Sequence, residues 1–267
     1  MKNPKVSVVM PVYNAEAFLK EAADSVLNQT FSDFEFIMIN DGSKDGSAEI
    51  IRSMKDPRII FADHSDNKAV VARLNEGLAL ARGEYIARID SDDVWTDAGK
   101  LAKQVAFLDS HPEHALVGTS GTAIDEQGKE LFPISYPQSD AELRPLMLRK
   151  DPFINCSVVF RKAAAIEAGG YCQDENYAED YGLWLRIGRD RKFENLPDSS
   201  IGYRITSTGI TQTRQIAHTQ NSYRAALRNK EYYPNFALAW LKWNAKLLIL
   251  NMGGAGTIKR VKSALKK

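Results

Sequence analysis

Tyr85-Ile86-Ala87-Arg88-Ile89-Asp90-Ser91-Asp92-Asp93 sets a short apolar strand pattern directly against three carboxylates in four positions. Such a run reads as a buried strand, and the polar residues after it mark its carboxyl end. Carboxylates this close repel one another and call for a cation nearby. Hard oxygen ligands select Mg2+ or Mn2+, and Mg2+ takes one or two carboxylates with phosphate oxygens completing its shell. A solvated acidic turn capping the next helix has the same composition, so the meaning of the run depends on what surrounds it.

Upstream, strand and helix patterns alternate. Val6 to Met10, Phe34 to Ile39 and Ile59 to Ala62 are apolar, β-branched runs that read as strands. Glu16 to Asn28 carries Phe18, Leu19, Ala22, Ala23, Val26 and Leu27 at amphipathic-helix spacing, with Asn14 as its expected N-cap. Ala48 to Met54 and Val70 to Ala81 are two further helices. A strand every ~25–30 residues with a helix between is the rhythm of right-handed βαβ units on a mostly parallel sheet. Ligands of such sheets bind beyond the carboxyl ends of the strands. Tyr13-Asn14, Asn40-Asp41 and Asp90 to Asp93 all fall at those ends, so three polar groups converge on one edge.

The second half is less regular. Leu101, Val105 and Leu108 mark a helix ended by His111-Pro112, Leu116 to Gly118 and Asn155 to Phe160 look like strands, and Lys162 to Ala168 is a helix closed by Gly169-Gly170. Tyr181 to Ile187 is another helix, and Ser199 to Thr213 is polar with strand-like fragments. A long helical pattern returns from Gln220 to Leu250, broken at Pro234. The expected division is residues 1–213 as one α/β domain, nucleotide-binding to about residue 100 and acceptor-side beyond it, then 214–267 as a basic helical extension.

With 267 residues, 44% hydrophobic and 26% charged, the composition is that of a globular protein with a sizeable core. The formal charge of +1 hides an uneven distribution. From Arg214 onward there are eleven Lys and Arg against one acid, Glu231, which leaves 24 basic and 33 acidic residues before it. An acidic body and a basic tail meet different partners. Cys156 and Cys172 form no metal-type pair, and His64, His111, His114 and His218 show no ligand spacing. With no signal-type N-terminus and no run near ~18 apolar residues, a reducing cytosol is the expected location.

The motifs together resemble family 2 glycosyltransferases of the GT-A fold: a Rossmann-like, mostly parallel α/β sheet flanked by helices. The elements are Val6 to Asn14, Ser25-Val26-Leu27-Asn28-Gln29-Thr30, Asn40-Asp41-Gly42-Ser43-Lys44-Asp45-Gly46-Ser47, Ala72 to Gly77, and Ala81 to Ile86. Asp90 to Asp93, Gly169-Gly170-Tyr171 and Glu179 to Arg186 complete them, in the family's order over about the first 200 residues. The resemblance implies an inverting transferase taking a sugar from a nucleotide-diphospho sugar, UDP-linked, to an acceptor hydroxyl. It makes Asp41 the acid that accepts from the nucleotide base, Pro11, Val12 and Tyr13 the pocket lining, and Arg73 a basic residue near the nucleotide. Where the family usually has two acids, this chain has Asn40 then Asp41. Asp92 and Asp93 would hold the ribose and a Mg2+ or Mn2+ ion, one of them as direct ligand. Asp180 would be the catalytic base, with Glu179 beside it as an acceptor contact. Trp184, four residues on, could cover a sugar face or fill the core. No histidine stands at Asn155-Cys156-Ser157, so no catalytic role is carried there, and Cys156 reads as a small packed side chain.

Phe236 to Leu250 has the tryptophans, lysines and leucines of an interfacial helix, and Lys259 to Lys267 adds a polybasic patch. Contact with the inner face of the plasma membrane and a lipid-linked saccharide acceptor fit that reading, as in bacterial surface polysaccharide or glycolipid assembly; packing on the body or a homodimer is its rival. No nucleic acid partner is expected. Two competing functions remain: a nucleotidyltransferase, for which Pro11 to Asn14 lacks the Gly-rich phosphate loop, and a degenerate transferase scaffold that only binds a membrane or partner.

Overall fold

Val8 and Met10 point to one face of the first strand and Val9 to the other, and all three are buried. The next strand repeats this with Phe36 and Met38 against Ile37 and Ile39. Strands without a polar face must be covered on both sides, as in a parallel sheet between two helical layers. The computed structural model describes residues 3–206 and 213–253. Its first half runs β1 (Val6–Val12), α1 (Leu19–Leu27), β2 (Phe34–Asp41), α2 (Ser47–Ser53), β3 (Ile59–His64), α3 (Val70–Leu80) and β4 (Tyr85–Arg88). The second half runs β5 (Val94–Trp95), α4 (Lys100–Ser110), β6 (His114–Ile124), β7 (Glu130–Ile134), α5 (Asp140–Leu143), β8 (Val159–Arg161), α6 (Lys162–Glu167), α7 (Glu179–Ile187), β9 (Lys192–Arg204), α8 (Gln215–Arg228) and α9 (Phe236–Gly253).

One sheet joins the strands in the order β3-β2-β1-β4-β8-β6-β9-β5, with β7 on β6. The ladders among β1 to β4 are parallel, as is the long β6–β9 ladder, while β8 runs antiparallel to both β4 and β6. This is the α/β class the sequence predicts. β1 lies between β2 and β4, so the strand order reverses there and a crevice opens at their carboxyl ends.

Several sequence readings need correction. Asn14 does not cap α1, which begins after Phe18 without a side-chain cap; Asn14 adopts a φ of 49° and its Oδ1 accepts from the Lys44 N–H at 2.8 Å. Asn155 to Phe160 is a 3-10 turn over Asn155–Ser157 followed by the short β8. The polar stretch near Ser199 belongs to β9, thirteen residues long, whose pairing with β6 shifts register at Thr119/Ser120 and Ser120/Gly121. Each shift interrupts the period-2 alternation that marks a strand in sequence.

The C-terminal pattern is two helices. Ala225, Ala226, Tyr233, Ala239 and Trp243 join the core cluster that holds Leu183, Trp184 and Leu185, and the Trp243 Nε1–H donates to the Leu148 carbonyl at 2.7 Å. α8 and α9 therefore pack on the body through one face. The basic run Lys259 to Lys267 lies outside the described residues.

Candidate active site

The crevice begins where β1 stops. Val12 is fully buried, leaving its backbone and the half-exposed Tyr13 ring at the edge. At the end of β2, Gly42 turns with φ +73°, and a Cβ there would stand 2.8 Å from the Asp66 carbonyl carbon. Asn40 donates to Asp63 Oδ1 at 2.7 Å and accepts from the Ser43 N–H. An amide suits this position, because a carboxylate there would face the Asp63 carboxylate. Asp41 is buried and accepts on Oδ1 from Arg73 Nε at 2.7 Å and from the Lys68 N–H at 2.8 Å.

Arg73 is 3% exposed, so it is not a surface charge on α3. Its fork also reaches Glu76 Oε2 at 3.1 Å and the Asp66 carbonyl at 2.8 Å. Its shortest contact is with Asp41. Removing one partner of a buried pair leaves the other charge uncompensated, so Arg73→Met is expected to cost about 3–5 kcal/mol of stability. Denaturant titration checks this; an exposed Arg would shift stability by under ~0.5 kcal/mol.

At the end of β4 the structure adds a residue that the sequence reading leaves without a role. Arg88 is a charge inside a buried strand, and its guanidinium ties three groups together. Nη2 lies 2.7 Å from Asp90 Oδ1, Nη1 donates to the Ile89 carbonyl, and Nε lies 3.6 Å from Asp180 Oδ1. Asp90 and Asp180, ninety positions apart, meet across this side chain. Tyr171 is a second neighbour, its hydroxyl and the Asp180 carboxylate close enough to influence each other's ionisation. Asn75 holds Tyr171 there, donating to its carbonyl at 2.8 Å and accepting from its N–H at 2.9 Å.

Glu179 and Asp180 open α7, and both are buried. Burial pushes both carboxyls above the ordinary carboxylate range; Asp180 opposes Glu179's ionisation further, while Arg88 partly offsets the rise at Asp180. The pair borders a cavity of about 250 Å3 lined on the far side by α8 and α9. Trp184 is not at this surface. It is fully buried, edge-on to Phe160 with ring centres 5.2 Å apart, which makes it a core residue.

The acids of the 90–93 run differ in their surroundings. Asp90 is paired with Arg88. Asp93 is buried; its Oδ1 accepts from the Arg204 N–H at 2.7 Å, and its Oδ2 has no hydrogen-bond partner. Arg204, also without a role in the sequence reading, staples the run to β9: Nε donates to the Asp92 carbonyl at 2.8 Å and Nη2 pairs with Glu21. Asp92 is only partly buried, and burial together with the Asp90 charge raises its pKa. Among the described residues no group of three His, Cys, Asp or Glu is arranged to hold a metal by itself. One accessible carboxylate with a charged neighbour fits an ion whose remaining ligands come from a phosphate-bearing substrate.

The chain matches the profile of the glycosyl transferase family 2 over residues 7–168. It is similar to the amylovoran biosynthesis glycosyltransferase AmsE of Erwinia amylovora, 32% identical over 213 residues, which is 78% of this chain and 79% of that protein. Among solved structures, S. aureus TarS in complex with UDP-GlcNAc superposes with a TM-score of 0.71 at 17% identity, over 93% of this chain and 73% of that one. The mannosyltransferase PcManGT from Pyrobaculum calidifontis, in complex with GDP-Man and Mn2+, gives a TM-score of 0.65 at 17% identity, over 100% of this chain and 81% of that one. With the profile covering more than half of its length and this sheet beneath it, the chain belongs to glycosyl transferase family 2 and is a glycosyltransferase of the GT-A fold.

Proposed function

We propose that this transferase moves a sugar, with inversion, from a nucleotide-diphospho sugar to an acceptor hydroxyl in bacterial surface polysaccharide or glycolipid assembly. The observation that carries the reading is the setting of Asp180: a buried carboxylate, ion-paired with Arg88, at the wall of a cavity next to the strand edge where a donor would lie. In a one-step displacement Asp180 takes the proton from the acceptor hydroxyl as that oxygen attacks the anomeric carbon, and the nucleoside diphosphate leaves. Attack from the face opposite the leaving group inverts the anomeric centre. Proton NMR of the first-formed product tests this, since retention of the donor's anomeric configuration would overturn it.

Asp41 accepts from the base through Oδ2, its Oδ1 being occupied by Arg73 and Lys68. Arg73 acts on the nucleotide through Asp41. Pro11, Val12 and Tyr13 line the pocket with backbone and ring surface. UDP is the expected nucleotide; TarS is solved with UDP-GlcNAc and PcManGT with GDP-Man, so both nucleotides belong in a binding screen. Asp92, with Asp93 tied into the fold behind it, would hold a Mg2+ or Mn2+ ion. When bound, such an ion neutralises charge on the departing diphosphate.

No helix among the described residues is long and apolar enough to cross a membrane. On α9, however, Leu238, Leu241, Leu248 and Met252 are exposed on the side away from the core. A self-association seam through this face would bring together two tails of eleven basic residues and one acid, with no acidic complement. An anionic bilayer supplies both an apolar layer and the opposite charge. Leu241→Glu with Leu248→Glu is expected to cut binding to phosphatidylglycerol-containing vesicles at least about tenfold, because each apolar side chain contributes on the order of 1 kcal/mol or more to insertion. Cosedimentation measures this. An unchanged bound fraction, or a switch from dimer to monomer in the double variant, would place the contact elsewhere.

A further inference from the structure

Arg88 places a permanent charge on an interior strand of the sheet, where burial opposes any charge. The strand fixes its backbone on both sides. Val9 of β1 lies opposite it in the parallel ladder, and the Arg88 N–H donates to the Val158 carbonyl at 3.0 Å. The side chain is 3% exposed. Two ends of its guanidinium are anchored, Nη1 on the Ile89 carbonyl at 2.7 Å and Nη2 on Asp90 Oδ1 at 2.7 Å. That leaves Nε, which lies 3.6 Å from Asp180 Oδ1.

Among the described residues, both Arg88 Nε and Asp180 Oδ1 are buried without a hydrogen-bond partner. Their separation is too long for a hydrogen bond and short enough for a strong ionic attraction. The difference matters for a base. A hydrogen bond from arginine would favour the ionised carboxyl but occupy the lone pair that must receive a proton. A guanidinium held just out of bonding range favours the same ionised form and leaves that lone pair free. Buried polar atoms without partners carry a cost, and a catalytic need for them is one reason for a fold to retain them.

The remaining surroundings of Asp180 make such a cation necessary. Burial opposes its charge most strongly, Asp90 adds to this, and Glu179 and Asp151 are further acids nearby. Tyr171 approaches from the turn after α6. Arg149 and Lys150 from the turn after α5, His218 from α8, and Lys242 and Lys246 from α9 line the same cavity. Arg88 is ion-paired with Asp180 itself.

We propose that Arg88 is a positioning residue of the transfer reaction that acts through Asp180, holding the carboxylate charged beside the cavity while leaving its proton-accepting oxygen unbonded. The proposal rests on the reading of Asp180 as the base. Because the same guanidinium is anchored on Asp90, it also ties that base to the strand edge where a donor would lie.

The test is a 13C NMR titration of the full chain labelled at the aspartate side-chain carboxyls, where the Asp180 signal is the one missing from Asp180→Asn. In wild type that signal is expected to titrate at about 6. In Arg88→Gln its midpoint is expected to rise by at least about one pH unit, the scale of losing an opposite charge at this range. Arg88→Lys keeps the charge and is expected to move it less. Should Arg88→Gln fold poorly with Asp90 and Asp180 both unpaired, Arg88→Gln with Asp90→Asn is compared with Asp90→Asn alone, and the same upward shift is expected. The pH profile of transfer is measured on the same proteins, and its midpoint should rise with the NMR midpoint. An unmoved Asp180 midpoint overturns the role of Arg88, and leaves the base in place where the kinetic midpoint still matches it. An NMR midpoint that moves while the kinetic one does not shows instead that Asp180 is not the base, and the positioning role falls with that reading.

Discussion

Asp180→Asn is expected to lower kcat for transfer by about 10²–10⁴-fold while leaving the dissociation constant of the nucleotide sugar within about twofold. The amide keeps the size of the side chain, and Arg88 keeps its partner Asp90, so the site should hold its shape. It cannot take a proton from the acceptor. Steady-state kinetics paired with donor titration checks both halves; a variant that loses donor affinity but keeps kcat would show that Asp180 binds rather than catalyses. The pH profile adds an independent reading. A base works only when deprotonated, and burial holds Asp180 above the ordinary carboxylate range. Activity should therefore appear as pH rises through a midpoint of about 6, above that of a free aspartate. A midpoint near ~4 would mean that another group is being read.

Asp92→Asn should weaken Mn2+-dependent binding of the nucleotide sugar by about 100-fold or more, which is the scale of several kcal/mol of charge neutralisation. Asp93→Asn should do much less, within about tenfold. The two neighbours separate because Asp93 is buried and tied to the Arg204 N–H, whereas Asp92 is partly open. Asparagine at 93 still offers Oδ1 to the Arg204 N–H and removes a carboxyl whose ionisation burial opposes, so thermal unfolding should not move downward. Titration calorimetry with and without Mn2+ decides. The reverse ranking would make Asp93 the ligand.

The first hundred residues were largely legible because the parallel strands are buried on both faces and appear as unbroken apolar runs. β1 to β4 and α3 lie within a few residues of their expected limits. Beyond residue 110 the signal fades for physical reasons. β5 is two residues long, β7 is mostly exposed, and β9 pairs with β6 through shifts that break alternation. None of these leaves a periodic trace. Trp184 shows the same limit from the other side. Helical spacing put it on a face with Asp180, but only the position of Phe160 decides that this face points into the core.

Among the site residues, Asp41, Asp92, Asp93, Glu179 and Asp180 could be named from motif order, since each follows a strand or opens a helix. Arg88 could have been suspected, because an arginine in the middle of an apolar strand needs a buried partner. The identity of that partner is not local information. Chain order alone determined the fold class, the family resemblance and which acids cluster at strand ends, because these depend on residue type and spacing of a few positions. Tertiary structure decided that Arg88 joins Asp90 to Asp180, that Arg73 serves Asp41, and that Asp93 is turned inward while Asp92 stays open. Those facts depend on distances between segments up to about a hundred residues apart, which packing and burial set together and which no local pattern records.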